Sequence, residues 1–188
     1  MTADLKLETR KGLPEHLRVL AEKYPAPTWA AHPNFNDLTS FWLERHLMFR
    51  QLLDKMIADA EVALDGAPGP RFGAELSRYG GFFLNQLHHH HMIEDDHYFP
   101  QFTALDARLE RGFEILDADH HALDAHIRDF GQHTNAVLAA LQAPGDKRTA
   151  LGRLHEVQED FRKFLHRHLT DEEEIIVPLI LEYGPDMQ

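Results

Sequence analysis

The sequence predicts an all-α protein, an up-down-up-down antiparallel four-helix bundle with an N-terminal extension. Three observations predict it: four segments with helical periodicity, short turn-forming connections between them, and the absence of any stretch that reads as a strand. Turn signals occur at Asp65–Pro70, around residues 99–112 and at Gln142–Asp146. With 188 residues, of which 43% are hydrophobic, the chain is long enough to bury a sizeable core.

Each helical segment carries a stripe of residues spaced by three or four positions, the pattern of a bundle seam. In the first segment the stripe comprises Trp42, His46, Phe49, Leu53 and Met56, and in the third it comprises Leu116, His120, Leu123, Ile127 and Phe130. In the second and fourth segments, apolar stripes run into a histidine and a glutamate: Phe83, Leu87, His90 and Glu94, then Phe161, Leu165, His168 and Glu172. Gly80 and Gly81 indicate a kink or a close helix approach.

The domain organisation follows from these segments. Residues 36–183 are expected to form the bundle, and residues 1–35 an extension that packs on it, with a short helix followed by a proline-rich strap. Residues 184–188 are expected to form a tail. The first twelve residues lack the apolar core of a secretory signal, and Ile175–Leu181 is too short to span a bilayer, so we expect a cytoplasmic protein.

The composition limits the classes of ligand. Lysine and arginine number 19 against 31 acidic residues, a formal net charge of −12, which argues against nucleic-acid and anionic-membrane partners and favours cations. The absence of cysteine excludes disulfides, iron–sulfur clusters and thiolate zinc sites. Any metal ion must therefore bind through nitrogen and oxygen.

An internal repeat selects among the 15 histidines, four of which are consecutive at positions 88–91. Adjacent helical residues point about 100° apart, so these four cannot face one point. At an offset of 78 residues the second and fourth segments match at Phe83 and Phe161, Leu87 and Leu165, His90 and His168, Glu94 and Glu172, and Pro100 and Pro178. The repeat favours His90 over His91, because Leu169 and Glu173 occupy the places that match His91 and Asp95.

The matched residues have the spacing of metal ligands. A histidine and a glutamate four residues apart lie on one helix face, so each pair offers an imidazole and a carboxylate to one point. Leaving such groups buried without a partner is costly, and a metal removes that cost. The predicted ligands are His46, His90, Glu94, His120, His168 and Glu172. Two carboxylates can bridge a pair of ions; the donor set suits iron best, with manganese or zinc as alternatives.

Other histidines receive different interpretations. His155 and Glu159 form a third pair at this spacing, but His155 lies roughly 220° around the helix from His168, so we expect a solvated pair. His97 is interpreted as a rim residue, with an extra ligand or a proton donor as the alternatives. The acids that flank the chosen pairs are expected to be mostly solvated, with one or two orienting a ligand. Surface positions are expected for His88, His89, His121, His126, His133 and His166.

The arrangement of one histidine, an HxxxE pair, a second histidine and a second HxxxE pair resembles the hemerythrin-like family of HHE cation-binding domains over roughly residues 36–183. The resemblance implies a non-haem di-iron centre with an oxo or hydroxo bridge, held by the six predicted ligands, with Glu94 and Glu172 as bridging carboxylates. Oxygen-carrying hemerythrins have another histidine one turn after the third-helix ligand, where this chain has Asp124.

Members of this family differ in use, and we expect a binding or sensing protein rather than a dedicated enzyme. The expected ligands are dioxygen, nitric oxide or peroxide, and a part in iron or redox homeostasis fits as well. One alternative is a di-iron oxidase or peroxidase-like enzyme on the same site, favoured by Asp124 and His97. A second is a structural bundle that holds zinc or adventitious metal.

Overall fold

The structure, a computed structural model, describes residues 5–184 and contains helices and no strand within that range. Within the described residues there are five α-helices: α1 (Asp37–Asp65), α2 (Phe72–Ile93), α3 (Phe99–Leu105), α4 (Glu110–Gln142) and α5 (Arg148–Tyr183). Short 3₁₀ helices occur at Glu15–Leu17, Ala26–Ala31 and Ala107–Leu109, and a π-helical turn at Glu94–Tyr98 joins α2 to α3. The predicted all-α helical class is confirmed.

The second predicted helix extends further than its turn signals suggest. Helical structure continues from α2 through the π-helical turn and α3 to Leu105, so the turn predicted around residues 99–112 begins only at Asp106. Pro100 does not end the helix, because it lies in the first turn of α3, where its missing N–H is not needed. Asp106 has an extended backbone, and its side chain accepts a hydrogen bond from the Arg108 N–H at the start of the next 3₁₀ helix.

The helices divide into two compact units. Unit 1 comprises the chain up to Leu47, His91–His121 and the chain from His166, and unit 2 comprises Met48–His90 and Ala122–Leu165. The unit boundaries fall inside α1, α2, α4 and α5 rather than at the predicted limits of the extension, bundle and tail. Those limits stay predictions, and residues 1–4 and 185–188 lie outside the described part of the chain.

Unit 2 has an aromatic core. The rings of Phe49, Phe83, Phe130 and Phe161 are fully buried, with centroids 5.7–6.1 Å apart in the pairs that touch. A second buried cluster contains Ala63, Leu76, Val137, Leu151 and Leu154. The described helices include none that is long and apolar enough to cross a membrane.

Unit 1 buries the N-terminal segment against helices α4 and α5. Leu13, Leu17 and Leu20 belong to one apolar cluster with fourteen buried members, among them Phe113 and Ile176. Gly112 at the start of α4 allows this close approach: a Cβ atom there would lie 2.8 Å from the Ile175 Cδ1 atom and 3.1 Å from the Leu17 carbonyl oxygen. A backbone oxygen cannot move aside as a flexible side chain can.

We therefore expect Gly112→Ala to lower the free energy of unfolding by about 1–3 kcal/mol through overpacking. Gly81→Ala is the matched control, because a Cβ atom at Gly81 meets nothing within 4 Å, and alanine there favours the helix by about 1 kcal/mol. Urea unfolding of the two variants measures the difference. Equal stabilities would show that the N-terminal segment does not lie tightly on α4.

Candidate metal centre

Five of the six predicted ligands lie in unit 1 with no more than 3% of their surface exposed: His46, Glu94, His120, His168 and Glu172. They come from α1, the π-helical turn, α4 and α5. The sixth, His90, is half-buried in unit 2, where its ring centroid lies 5.3 Å from that of Phe49. It precedes Glu94 by one helical turn on a continuous helical stretch, as the HxxxE spacing predicts.

Glu172 presents one oxygen to each of two imidazoles. Its Oε1 atom lies 3.5 Å from His46 Nε2, and its Oε2 atom lies 3.4 Å from His168 Nε2. The Trp42 indole N–H donates to Oε1 at 2.6 Å and helps to orient the carboxylate. Glu94 is similarly close to His120, with 3.5 Å between Oε2 and Nε2. A carboxylate placed between two imidazoles has the position needed to bridge two cations.

Three of the imidazoles are oriented by a carboxylate behind them. The Nδ1 atoms of His46, His120 and His168 lie 2.9, 2.6 and 3.2 Å from oxygens of Glu173, Asp95 and Asp119, respectively. We assign the Nδ1 proton to each of these rings, since a carboxylate accepts hydrogen bonds. The Nε2 atoms of these rings then face the glutamates, and Nε2 is the atom that would coordinate a metal when Nδ1 is held by a carboxylate.

These outer carboxylates follow the same internal repeat as the predicted ligands. Asp95 and Glu173 are 78 residues apart, and each directly follows a glutamate of the centre. Asp95 from the first half contacts His120 of the second half, whereas Glu173 from the second half contacts His46 of the first. From the sequence, one or two of the flanking acids were expected to orient ligands, and Asp95 and Glu173 do so. Asp119, which was not among the expected acids, orients a third imidazole.

His91 lies in the same part of unit 1, although the repeat favoured His90 over it. His91 is 3% exposed, and its ring stacks on that of His120 with a centroid distance of 4.1 Å and an interplanar angle of 11°. Its ring meets His168 edge-on at 5.4 Å. Ligand atoms of His91, His120 and His168 all lie within 4.8 Å of one another. A comparison of the two halves of the repeat misses His91, because its counterpart in the second half is Leu169. The signal that could have pointed to His91 is Asp124, which stands where the family resemblance has a further histidine ligand.

The electrostatics of the centre favour a cation. Burial and the neighbouring charge of Glu172 raise the pKa of Glu94 well above its usual range. Burial disfavours a charged His168, but hydrogen bonds to Asp119 and Glu172 outweigh it and raise the pKa of His168 to about 9. For His120, burial lowers the pKa, so this imidazole is neutral at pH 7. A cation between the rings would therefore lower the free-energy cost of ionising both buried glutamates.

The residues for which the sequence left other interpretations are less buried than the predicted ligands of unit 1. Asp124 belongs to unit 2 and faces His88, with 3.7 Å between Oδ1 and Nδ1. His97 is exposed and lies beside Gln101. His155 is half-exposed and forms a group with Glu61 and Glu159. Of the expected surface histidines, four are exposed and two half-buried: His88, His89, His121 and His166, then His126 and His133.

A cleft of about 730 Å³ lies next to one of the outer carboxylates in unit 1. Asp95, which orients His120, forms part of its wall together with the apolar rings of Phe99 and Phe113. Further carboxylates from α4 also line it: Glu110, Glu114 and Asp117. The negative charge of this wall favours the approach of cations over anions.

The residues present fit a metal centre with nitrogen and oxygen donors. Buried imidazoles with their Nε2 atoms turned inward and two buried glutamates form a donor set typical of transition-metal sites. A family model described as hemerythrin HHE cation-binding domain matches residues 37–180. Comparisons with curated proteins and with solved structures gave no match. Because the family model covers more than half of the sequence and the buried histidines and glutamates fit it, this chain belongs to the hemerythrin HHE cation-binding family.

Proposed function

We propose that this protein binds two iron ions and uses them to bind or sense a small ligand such as dioxygen, nitric oxide or peroxide. The observation that carries the proposal is the position of Glu172, which offers one carboxylate oxygen toward His46 and the other toward His168. A single ion needs no such carboxylate between two imidazoles. The outer carboxylates on three of the imidazoles support the same conclusion.

The proposed ligands fall into two groups. One group, His91, His120 and His168, would hold one ion, and His46 and His90 would hold the other, with Glu94 and Glu172 shared between them. In this assignment His91 supplies the third imidazole that Asp124 cannot, since Asp124 faces His88. The second ion would have one imidazole fewer than the first, so it is the one that would take up the small ligand.

The surroundings favour binding or sensing over enzymatic turnover. Iron, when bound, would supply the electrons that a diatomic ligand or peroxide accepts. The protein orients the imidazoles through Asp95, Asp119 and Glu173 and the bridging carboxylate through Trp42. The two residues that favoured an oxidase reading lie elsewhere: His97 is exposed beside Gln101, and Asp124 pairs with His88.

Anaerobic titration with ferrous iron, followed by absorption spectroscopy before and after exposure to air, tests the proposal. We expect two equivalents of iron per chain, a new absorption band in air, and loss of that band when oxygen is removed with a reductant present. Well below two equivalents, without improvement on further anaerobic iron addition, would refute the di-iron assignment. Continued turnover of added peroxide would instead favour the enzymatic alternative.

A further inference from the structure

A buried arginine from the N-terminal segment lies behind the metal centre. Arg10 precedes the family-matched region of residues 37–180, yet only 1% of its side chain is exposed. A guanidinium removed from water in this way needs partners for its five N–H donors. Those partners include two carboxylates, which come from α4 and α5.

The guanidinium of Arg10 contacts both oxygens of Asp119. Its Nη1 atom donates to Asp119 Oδ1 at 2.7 Å, and Nη2 donates to Oδ2. The Nε atom donates to Asp171 Oδ2 at 2.8 Å, and Nη1 also reaches the Leu5 carbonyl oxygen at 3.0 Å. This two-point contact fixes the plane of the Asp119 carboxylate, as an arginine fork does and a lysine ammonium does not.

Asp171 attaches the same segment to α5. It is fully buried, and its Oδ1 atom accepts hydrogen bonds from the Leu13 N–H at 3.2 Å and from Arg167 Nη2 at 2.6 Å. Residues 10–13 are thus bound to the helical turn that contains His168 and Glu172. The N-terminal segment is anchored by polar contacts here in addition to its buried leucines.

Asp119 connects Arg10 to a proposed ligand. The Oδ2 atom that accepts from Arg10 also accepts the His168 Nδ1–H at 3.2 Å. A carboxylate free to rotate would lose this hydrogen bond part of the time, and the ring of His168 would lose its preferred orientation. The first half of the repeat has no equivalent, because Arg45 precedes His46 where Asp119 precedes His120.

We propose that Arg10 is a positioning residue of the metal centre: it holds the Asp119 carboxylate so that His168 directs its Nε2 atom at the cation. The proposal rests on the proposed function, since it assumes that His168 is a ligand. It gives a role in metal affinity to the N-terminal segment, which lies outside the family-matched region. It also makes the two ions unequal, because Arg10 orients, through Asp119, a histidine of only one of them.

Titration of the full-length protein with Co²⁺ under a competing chelator tests this role, with the visible Co²⁺ spectrum as a second readout. In Arg10→Met we expect one of the two equivalents to bind about 10- to 100-fold more weakly, the range seen when a group that orients a ligand is removed. The other equivalent should be unaffected. Arg10→Lys keeps the charge without the fork, so we expect it to recover affinity only in part.

Leu17→Ala is the control for stability, because it removes a buried side chain of the same segment without touching Asp119 or Asp171. It should lower the thermal unfolding midpoint but leave both Co²⁺ affinities and the spectrum unchanged. If Leu17→Ala weakens Co²⁺ binding as much as the Arg10 variants do, or if Arg10→Lys and Arg10→Met bind both equivalents like wild type, the positioning role is wrong. If wild type binds no Co²⁺ or iron, the proposed function itself fails.

Discussion

His91→Ala is expected to reduce iron binding from two equivalents per chain to one. In the proposed assignment His91 is one of three imidazoles at the first ion, and alanine leaves that ion with His120, His168 and the shared carboxylates. We expect the affinity for this equivalent to fall by more than the about 10- to 100-fold that loss of an orienting group causes. Metal analysis after chelator treatment measures the stoichiometry.

His89→Ala is the matched control in the same run of histidines. His89 is exposed, so its loss should change neither stoichiometry nor affinity. His90→Ala should weaken the other equivalent, because we assign His90 with His46. Full retention of two equivalents in His91→Ala, together with loss in His90→Ala, would show that the repeat alone identifies the ligands and that His91 merely stacks on His120.

The metal-loaded protein should be substantially more stable than the metal-free protein. A ligand that binds only the native state stabilises it by about 2.7 kcal/mol at a free concentration of 100 times Kd and about 4.1 kcal/mol at 1,000 times Kd. For a chain of this size each kcal/mol shifts the unfolding midpoint by about 2–4 °C, so we expect an increase of roughly 5–16 °C. Thermal unfolding with and without ferrous iron, under nitrogen, measures it.

His168→Ala provides the control for this stabilisation. His168 is fully buried and contacts both Asp119 and Glu172, so its removal should abolish most of the increase caused by iron. His155→Ala should retain the full increase, because His155 lies in a partly exposed group with Glu61. Identical midpoints for wild type with and without iron would contradict a buried metal centre.

Periodicity and repetition predicted much of the fold and part of the candidate site. The stripe from Trp42 to Met56 is buried throughout, as a bundle seam requires. The offset of 78 residues led to His168 and Glu172, which lie together in the structure, and the family assignment drawn from the same motifs is confirmed. Helical periodicity and an internal repeat are patterns within the chain itself, so a single sequence is enough to reveal them.

Features that differ between the halves were not predictable in this way. A comparison of two halves finds only what both contain, and His91 corresponds to Leu169 while Asp119 corresponds to Arg45. The contact of Arg10 with Asp119 joins residues 109 positions apart, and no periodic pattern relates them. The turn signals around residues 99–112 placed the end of the second helix too early, because Pro100 in this segment is tolerated in the first turn of α3.

Helix α5 determines when the centre can assemble during protein synthesis. It supplies His168 and Glu172, the Asp171 carboxylate that binds Arg10, and the Glu173 carboxylate that orients His46. Until this helix has left the ribosome, the earlier histidines and Glu94 have no complete site. The proposed metal loading therefore requires α5, and a nascent chain stalled before α5 should bind the metal weakly.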